Sequence, residues 1–98
     1  MDEDIRYEEL IEAAIERQIE ILGRGQAVEQ ARTVDRLTVD DDGTVLEVEG
    51  DGKAVLSAVV DAYKAIAGDL PASLIAYRIR DEFDVTHAEL PTNVARHL

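Results

Sequence analysis

The chain has 98 residues, which corresponds to one small domain over residues 1–98. It carries 22 acidic and 10 basic side chains for a formal net charge of −12, and 46% of its residues are hydrophobic. The absence of cysteine excludes disulfides, thiolate catalysis and cysteine-ligated zinc. No apolar run approaches the roughly 20 residues of a membrane span, and the acidic start "DEDIRYEEL" does not resemble a secretory signal. We therefore expect a soluble cytoplasmic protein.

Lysine is scarce in this chain, with only Lys53 and Lys64. High acidity combined with little lysine resembles the composition of proteins from salt-loaded halophilic cells. In such cells the repulsion among carboxylates is screened, because the Debye length falls to about 3 Å at 1 M salt. On this hypothesis the acidity reflects the habitat and says little about partners. The alternative is an acidic protein from a low-salt cell.

Helical periodicity dominates the first third of the chain. We predict one helix over about residues 4–22, with Asp2 or Asp4 as its cap and Gly23 after its end. A second, shorter helix is predicted over residues 25–32. On the first helix, one stripe is proposed both as a core face and as part of a partner seam: Leu10, Ile11, Ile15, Gln18, Ile19 and Leu22.

The middle of the chain alternates apolar and polar residues, which is typical of half-buried strands. We predict a β-hairpin over residues 36–49. Leu37 and Val39 face the core before the turn. Leu46 and Val48 face it after the turn.

Helical periodicity returns after the hairpin. Helices are predicted over residues 52–67 and 71–82. The tail, residues 83–98, is ambiguous, with a short strand around Val85 and a last helical turn from Thr92 as its candidates. The predicted class is therefore α+β, with two long helices flanking a β-hairpin in the order α-α-β-β-α-α and a small single-layer sheet packed on the helices.

The acidic stretch "TVDDDGTVLEVEG" allows two interpretations. If Gly43 is the sixth residue of an EF-hand calcium loop, Asp40 and Asp42 fall at ligand positions. Glu49 then falls at the twelfth position, but Thr38 occupies the first, where a carboxylate is required. Aspartates followed by glycine also suit a hairpin connection. We favour the plain turn, and the alternative is a weak cation site on it.

The stretch "GRGQAV" only partly matches a dinucleotide-binding glycine loop. A helix precedes it where a strand is required, and Val28 stands where the motif needs glycine or alanine. Arg24 and Gly25, at the start of the second helix, are a candidate anion site because helix N-termini attract anions.

The residue types that carry catalysis are few and scattered. His87 and His97 are ten residues apart, without the spacing of a zinc-binding helix motif. Ser57 and Ser73 lie within predicted helices, outside a nucleophile-elbow context. We therefore predict no catalytic constellation, no metal site and no cofactor, with a general base at His87 as the alternative.

The C-terminal segment, residues 84–98, has an alternative interpretation as part of a helix-turn-helix. Its DNA-reading side chains are Thr92, Asn93, Arg96 and His97. Residues 70–98 carry a net charge of only −1, against −11 for residues 1–69. The chain has no basic patch, however, and phosphate contacts supply most of the affinity of such proteins. We therefore do not expect nucleic acid as a partner.

Three functional hypotheses follow. The first is a noncatalytic homodimeric interaction or regulatory module, in which a two-fold dimer pairs the hairpins or packs the first helices together; another protein is an alternative partner. The second is the DNA-associated regulator. The third is a small-ligand binder or enzyme with a pocket between hairpin and helices, gathering Arg24, Arg32, Tyr63 or His87.

Overall fold

The computed structural model describes the backbone of residues 2–85 and 87–98 and the side chains of residues 7–85 and 88–98. In chain order its elements are α1 (Asp2–Leu22), α2 (Arg24–Ala31), β1 (Leu37–Val39), β2 (Val45–Val48), α3 (Gly52–Ala67), α4 (Leu70–Glu82), a 3-10 turn (His87–Glu89) and α5 (Thr92–Ala95). The α+β class with one antiparallel hairpin is confirmed. In the tail, Val85 lies in an irregular segment and not in a strand, whereas the helical turn from Thr92 is present as α5.

Helix α1 is the central element of the core. It contacts α2, α3, α4 and β2. Its stripe residues Leu10, Ile11 and Ile15 are 0% exposed. Across the described part of the chain, no helix combines the length and the apolar composition needed to cross a membrane.

Local capping explains where α3 begins and ends. The Asp51 side chain accepts a hydrogen bond from the Lys53 backbone N–H, which satisfies one free donor at the start of α3. Gly68, with φ of 73°, ends the same helix by donating its N–H to the Lys64 carbonyl oxygen. The side chains of Asp2 and Asp4, our candidate caps for α1, lie outside the described residues.

The acidic stretch forms a hairpin turn. The Gly43 N–H donates to the Asp40 carbonyl oxygen at 3.0 Å, and Gly43 has φ of 94°. The Asp42 carboxylate accepts from the Thr44 N–H at 3.0 Å, as aspartates in turns do. These contacts support the turn that we favoured over a calcium loop.

One prediction about the hairpin is wrong. Thr38 pairs with Glu47 and Val39 with Val45, so β2 contains one extra residue, Leu46, at a bulge. Because a bulge interrupts the alternation of faces, Leu46 points outward and is 58% exposed. The core face of β2 is supplied by Val48, as predicted, and by Val45 in place of Leu46; both valines are half-buried.

Close packing of α1 against the start of α3 predicts opposite effects for two glycine substitutions. A Cβ at Gly52 would lie 2.5 Å from the Cβ of Tyr7, while nothing lies within 4 Å of a Cβ at Gly25. We expect Gly52→Ala to lower the free energy of unfolding by about 1–3 kcal/mol through overpacking. We expect Gly25→Ala, inside α2, to raise it by about 0.5–1 kcal/mol. Chemical denaturation measures both. A Gly52→Ala variant as stable as the parent would contradict the close contact between Gly52 and Tyr7.

The turn also predicts a pH dependence. The Thr44 backbone N–H, and then its side chain, hold the pKa of the exposed Asp42 carboxyl below its usual 3.8. A pKa lowered by folding contributes stability above the unfolded value, and this contribution is lost as pH falls through the folded value. NMR titration should therefore find Asp42 titrating below 3.8. On acidification, the Asp42→Asn variant should lose less hairpin stability than the parent does. A titration midpoint of Asp42 at or above 3.8 would refute its hydrogen bond to Thr44.

Candidate functional site

Helices α1 and α4 pack against each other and form one candidate surface. Arg78 of α4 forms an ion pair with Glu20 of α1, which ties the two helices together. A cleft of 340 Å³ next to this pair is lined by Arg17 of α1 and by Leu74 and Tyr77 of α4, among others. One turn further along each helix, Ile21 follows Arg17 and Leu70 precedes Leu74. We define the α1–α4 face as Arg17, Ile21, Leu70, Leu74 and Tyr77.

The α1–α4 face exposes large apolar side chains. Leu70 is 62% exposed, and Ile21 and Tyr77 are each 45% exposed. On α4, residues 70, 74 and 77 recur at helical spacing and therefore form one stripe. A contiguous exposed apolar patch with a polar rim marks an interaction site more often than single exposed residues do.

The rim of this face has balanced charge. Counting Arg17 of the face itself, three arginines and three carboxylates lie on or beside it: Arg17, Arg78, Arg80, Glu20, Asp81 and Glu82. The Arg80 guanidinium lies 5.2 Å from the centre of the Tyr77 ring, within cation–π range. The chain as a whole has a net charge of −12, so this balance is a local exception.

A second candidate is a groove of 420 Å³ between α3 and the segment that links α2 to β1. We call it the α3 groove. Its lining residues are Thr33, Val34, Asp35, Arg36, Ala54, Val55, Ala58 and Ala62. One of its borders is fixed by Gln30, whose amide donates to the Ala62 carbonyl oxygen at 2.6 Å. Of the pocket residues that we expected, Arg24, Arg32 and Tyr63 do not line this groove.

A polar cluster holds α5 against the rest of the fold. The Asn93 amide donates to the Ser57 carbonyl oxygen at 2.9 Å and to the Asp61 carboxylate at 3.0 Å. The Ser73 hydroxyl and the His97 Nδ1 are 3.0 Å apart. These bonds connect the short helix to both α3 and α4, so the cluster positions the C-terminal segment.

The proposed DNA-reading segment is corrected by this cluster. Helix α5 is only four residues long, and its Val94 is fully buried. Asn93 and His97, two of the four proposed reading residues, turn inward to α3 and α4, while Thr92 and Arg96 are exposed. A single turn anchored on both sides does not present the continuous helix that enters a major groove.

The proposed partner seam on α1 is also corrected. Leu10, Ile11, Ile15 and Gln18 are 0% exposed, because the other helices of the same chain cover them. Ile19 and Leu22 are half-buried against the same core. The stripe is a core stripe, and a partner must use another surface.

The remaining candidate residues are not brought together. Arg24 and Gly25 are exposed in the first turn of α2, and a helix start alone does not make an anion site. Arg24 lies close enough to Asp42 to contribute to the lowering of its pKa. No group of three potential ligands is placed to hold a metal ion within the described residues. The side chain of His87 lies outside them.

Two features of the candidate sites were missed at the level of sequence. The apolar residues 70, 74 and 77 follow helical spacing, so the α4 stripe was visible once its helix was predicted. The pairing of Ser73 with His97 joins residues 24 positions apart, and no local pattern signals it.

Comparison with protein-family models, curated proteins and solved structures finds no match for this chain.

Gln18 is an exception to the apolar character of the core. It is 0% exposed, and neither its amide oxygen nor its amide nitrogen has a hydrogen-bond partner among the described residues. An unsatisfied buried amide costs about 1–3 kcal/mol.

This cost predicts a stabilising substitution. We expect Gln18→Met, which keeps the length of the side chain, to raise the free energy of unfolding by about 1–2 kcal/mol. The matched control is Gln30→Met, which removes the hydrogen bond to Ala62 and should lower stability by about 0.5–1.5 kcal/mol. Denaturant titrations compare the two, and a Gln18→Met variant less stable than the parent would show that this amide is bonded in solution.

Proposed function

We propose that the protein is a noncatalytic interaction module of a halophilic cell's cytoplasm that assembles as a homodimer through the α1–α4 face. The observation that carries this proposal is the exposure of Leu70, Ile21 and Tyr77 beside a charge-balanced rim. Exposed apolar area of this kind is stabilised when a partner removes it from water.

Charge favours a second copy of the same chain as the partner. Two chains of net charge −12 repel each other over most of their surfaces. The repulsion is smallest where the local charge is near zero, as it is at the α1–α4 face with its three arginines and three carboxylates. In a two-fold interface each rim meets a copy of itself, so a rim with equal numbers of arginines and carboxylates can pair opposite charges across it. High salt screens the remaining repulsion.

A noncatalytic role is supported by the use that the fold makes of its polar side chains. Ser73 and His97 interact directly, but they form part of the cluster that holds α5. The buried Tyr63 hydroxyl donates to the Ala27 carbonyl oxygen at 2.7 Å, which connects α3 to α2, and burial raises its pKa. We therefore assign structural roles to these groups.

The proposal predicts the mass of the particle in solution. In multimolar KCl, light scattering after size exclusion should give twice the mass of one chain. Leu70→Glu places a charge on the α1–α4 face and should give a monomer that stays folded, because Leu70 is already largely exposed. Circular dichroism checks the fold of the variant.

The control is Leu46→Glu, at an equally exposed leucine on the hairpin. It should leave the dimer intact. If Leu46→Glu gives the monomer and Leu70→Glu does not, the dimer forms by pairing of the hairpins and the α1–α4 face is the wrong surface. A parent protein that is monomeric at all concentrations in KCl would rule out the homodimer.

A further inference from the structure

The α3 groove has an apolar floor with room above it. Three of its lining residues, Ala54, Ala58 and Ala62, follow one another at each turn of α3. Val55, which is 2% exposed, and the half-buried Val34 complete the floor. Small side chains at three successive turns leave a channel along the helix that longer side chains would fill. The resulting 420 Å³ lies at the low end of the range of about 300–1,000 Å³ for ligand pockets.

Two opposite charges stand at the edge of this floor. Neither the Arg36 guanidinium nor the Asp35 carboxylate forms an ion pair or a hydrogen bond within the described part of the chain. The Arg36 guanidinium lies close to Gly50, just before the start of α3. Its Nη1 is 3.5 Å from the point that a Cβ on Gly50 would occupy. Most other described basic side chains have a partner, such as Arg32 with Asp41 or Lys64 with Asp69.

These features define the chemistry of an occupant. A bare anion would meet the repulsion of a chain with net charge −12, although Arg36 attracts it locally. A zwitterion has no net charge and can pair with both rim groups, its carboxylate with Arg36 and its ammonium with Asp35. An apolar side chain on the same molecule would cover Ala58 and Val55.

We propose that the α3 groove binds a free α-amino acid with an apolar side chain. The carboxylate of the ligand binds the Arg36 guanidinium, its ammonium binds the Asp35 carboxylate, and its side chain packs on Val34, Val55 and the alanines of α3. This site is separate from the α1–α4 face, so it does not depend on the proposed dimer.

The test is a titration followed by NMR, in KCl at the lowest concentration at which the protein stays folded. The probes are L-phenylalanine and L-leucine, with 3-phenylpropionate and phenethylamine as analogues that lack the ammonium and the carboxylate respectively. We expect saturable shifts of the amide signals of residues 33–36 and 54–62 with the amino acids. Each analogue should bind at least tenfold more weakly than L-phenylalanine.

Variants locate the site. Arg36→Gln and Asp35→Asn should each weaken binding about tenfold, and Ala58→Leu, which fills the groove, should abolish it. The control is Arg96→Gln, at an exposed arginine just after α5, which should bind as the parent does. The proposal is overturned if neither amino acid binds, if binding shifts the signals of other residues instead, or if binding survives Ala58→Leu. Phenethylamine or 3-phenylpropionate binding as tightly as L-phenylalanine would overturn the assignment of a zwitterion. None of these outcomes affects the mass of the particle, which tests the dimer separately.

Discussion

Burial of the apolar stripe of α1 is the constraint on which the rest of the fold depends. Every large element packs against this helix, and Leu10, Ile11 and Ile15 are completely removed from water. A chain with only four aromatic residues has to fill its core with small and branched side chains at close range. The contact of Gly52 with Tyr7 shows how close this approach is, since not even a methyl group fits between α1 and α3.

The same constraint decides which surfaces are left for a partner. Because α1 buries most of its apolar stripe inside the monomer, Ile21, at 45%, is the most exposed large apolar side chain of α1 among the described residues. The polar cluster of Asn93 and His97 fixes the C-terminal turn against α3 and α4. The α1–α4 face combines exposed apolar side chains with a rim of balanced charge, which is why we propose self-association there.

Much of the fold could be predicted from the sequence, because helical periodicity, the Asp51 cap and the glycines at 23, 43 and 68 are local signals. The outward position of Leu46 could not, since a bulge depends on how two strands pair. The candidate site was harder to predict. From sequence alone, the wide apolar stripe on α1 could face either the core or a partner. The packing of α2, α3, α4 and β2 against α1 decides that it faces the core. The α3 groove likewise depends on where the segment after α2 lies.

The central claim, that two copies meet at the α1–α4 face, is tested most directly by a distance between copies. The chain has no cysteine, so a single spin label can be placed at the rim through Asp81→Cys, or on the hairpin through Glu47→Cys. Dipolar electron resonance in multimolar KCl should give a short, well-defined distance between labels at position 81 and a longer one at position 47. A short distance at position 47, with none at position 81, would contradict the account and place the interface on the hairpin.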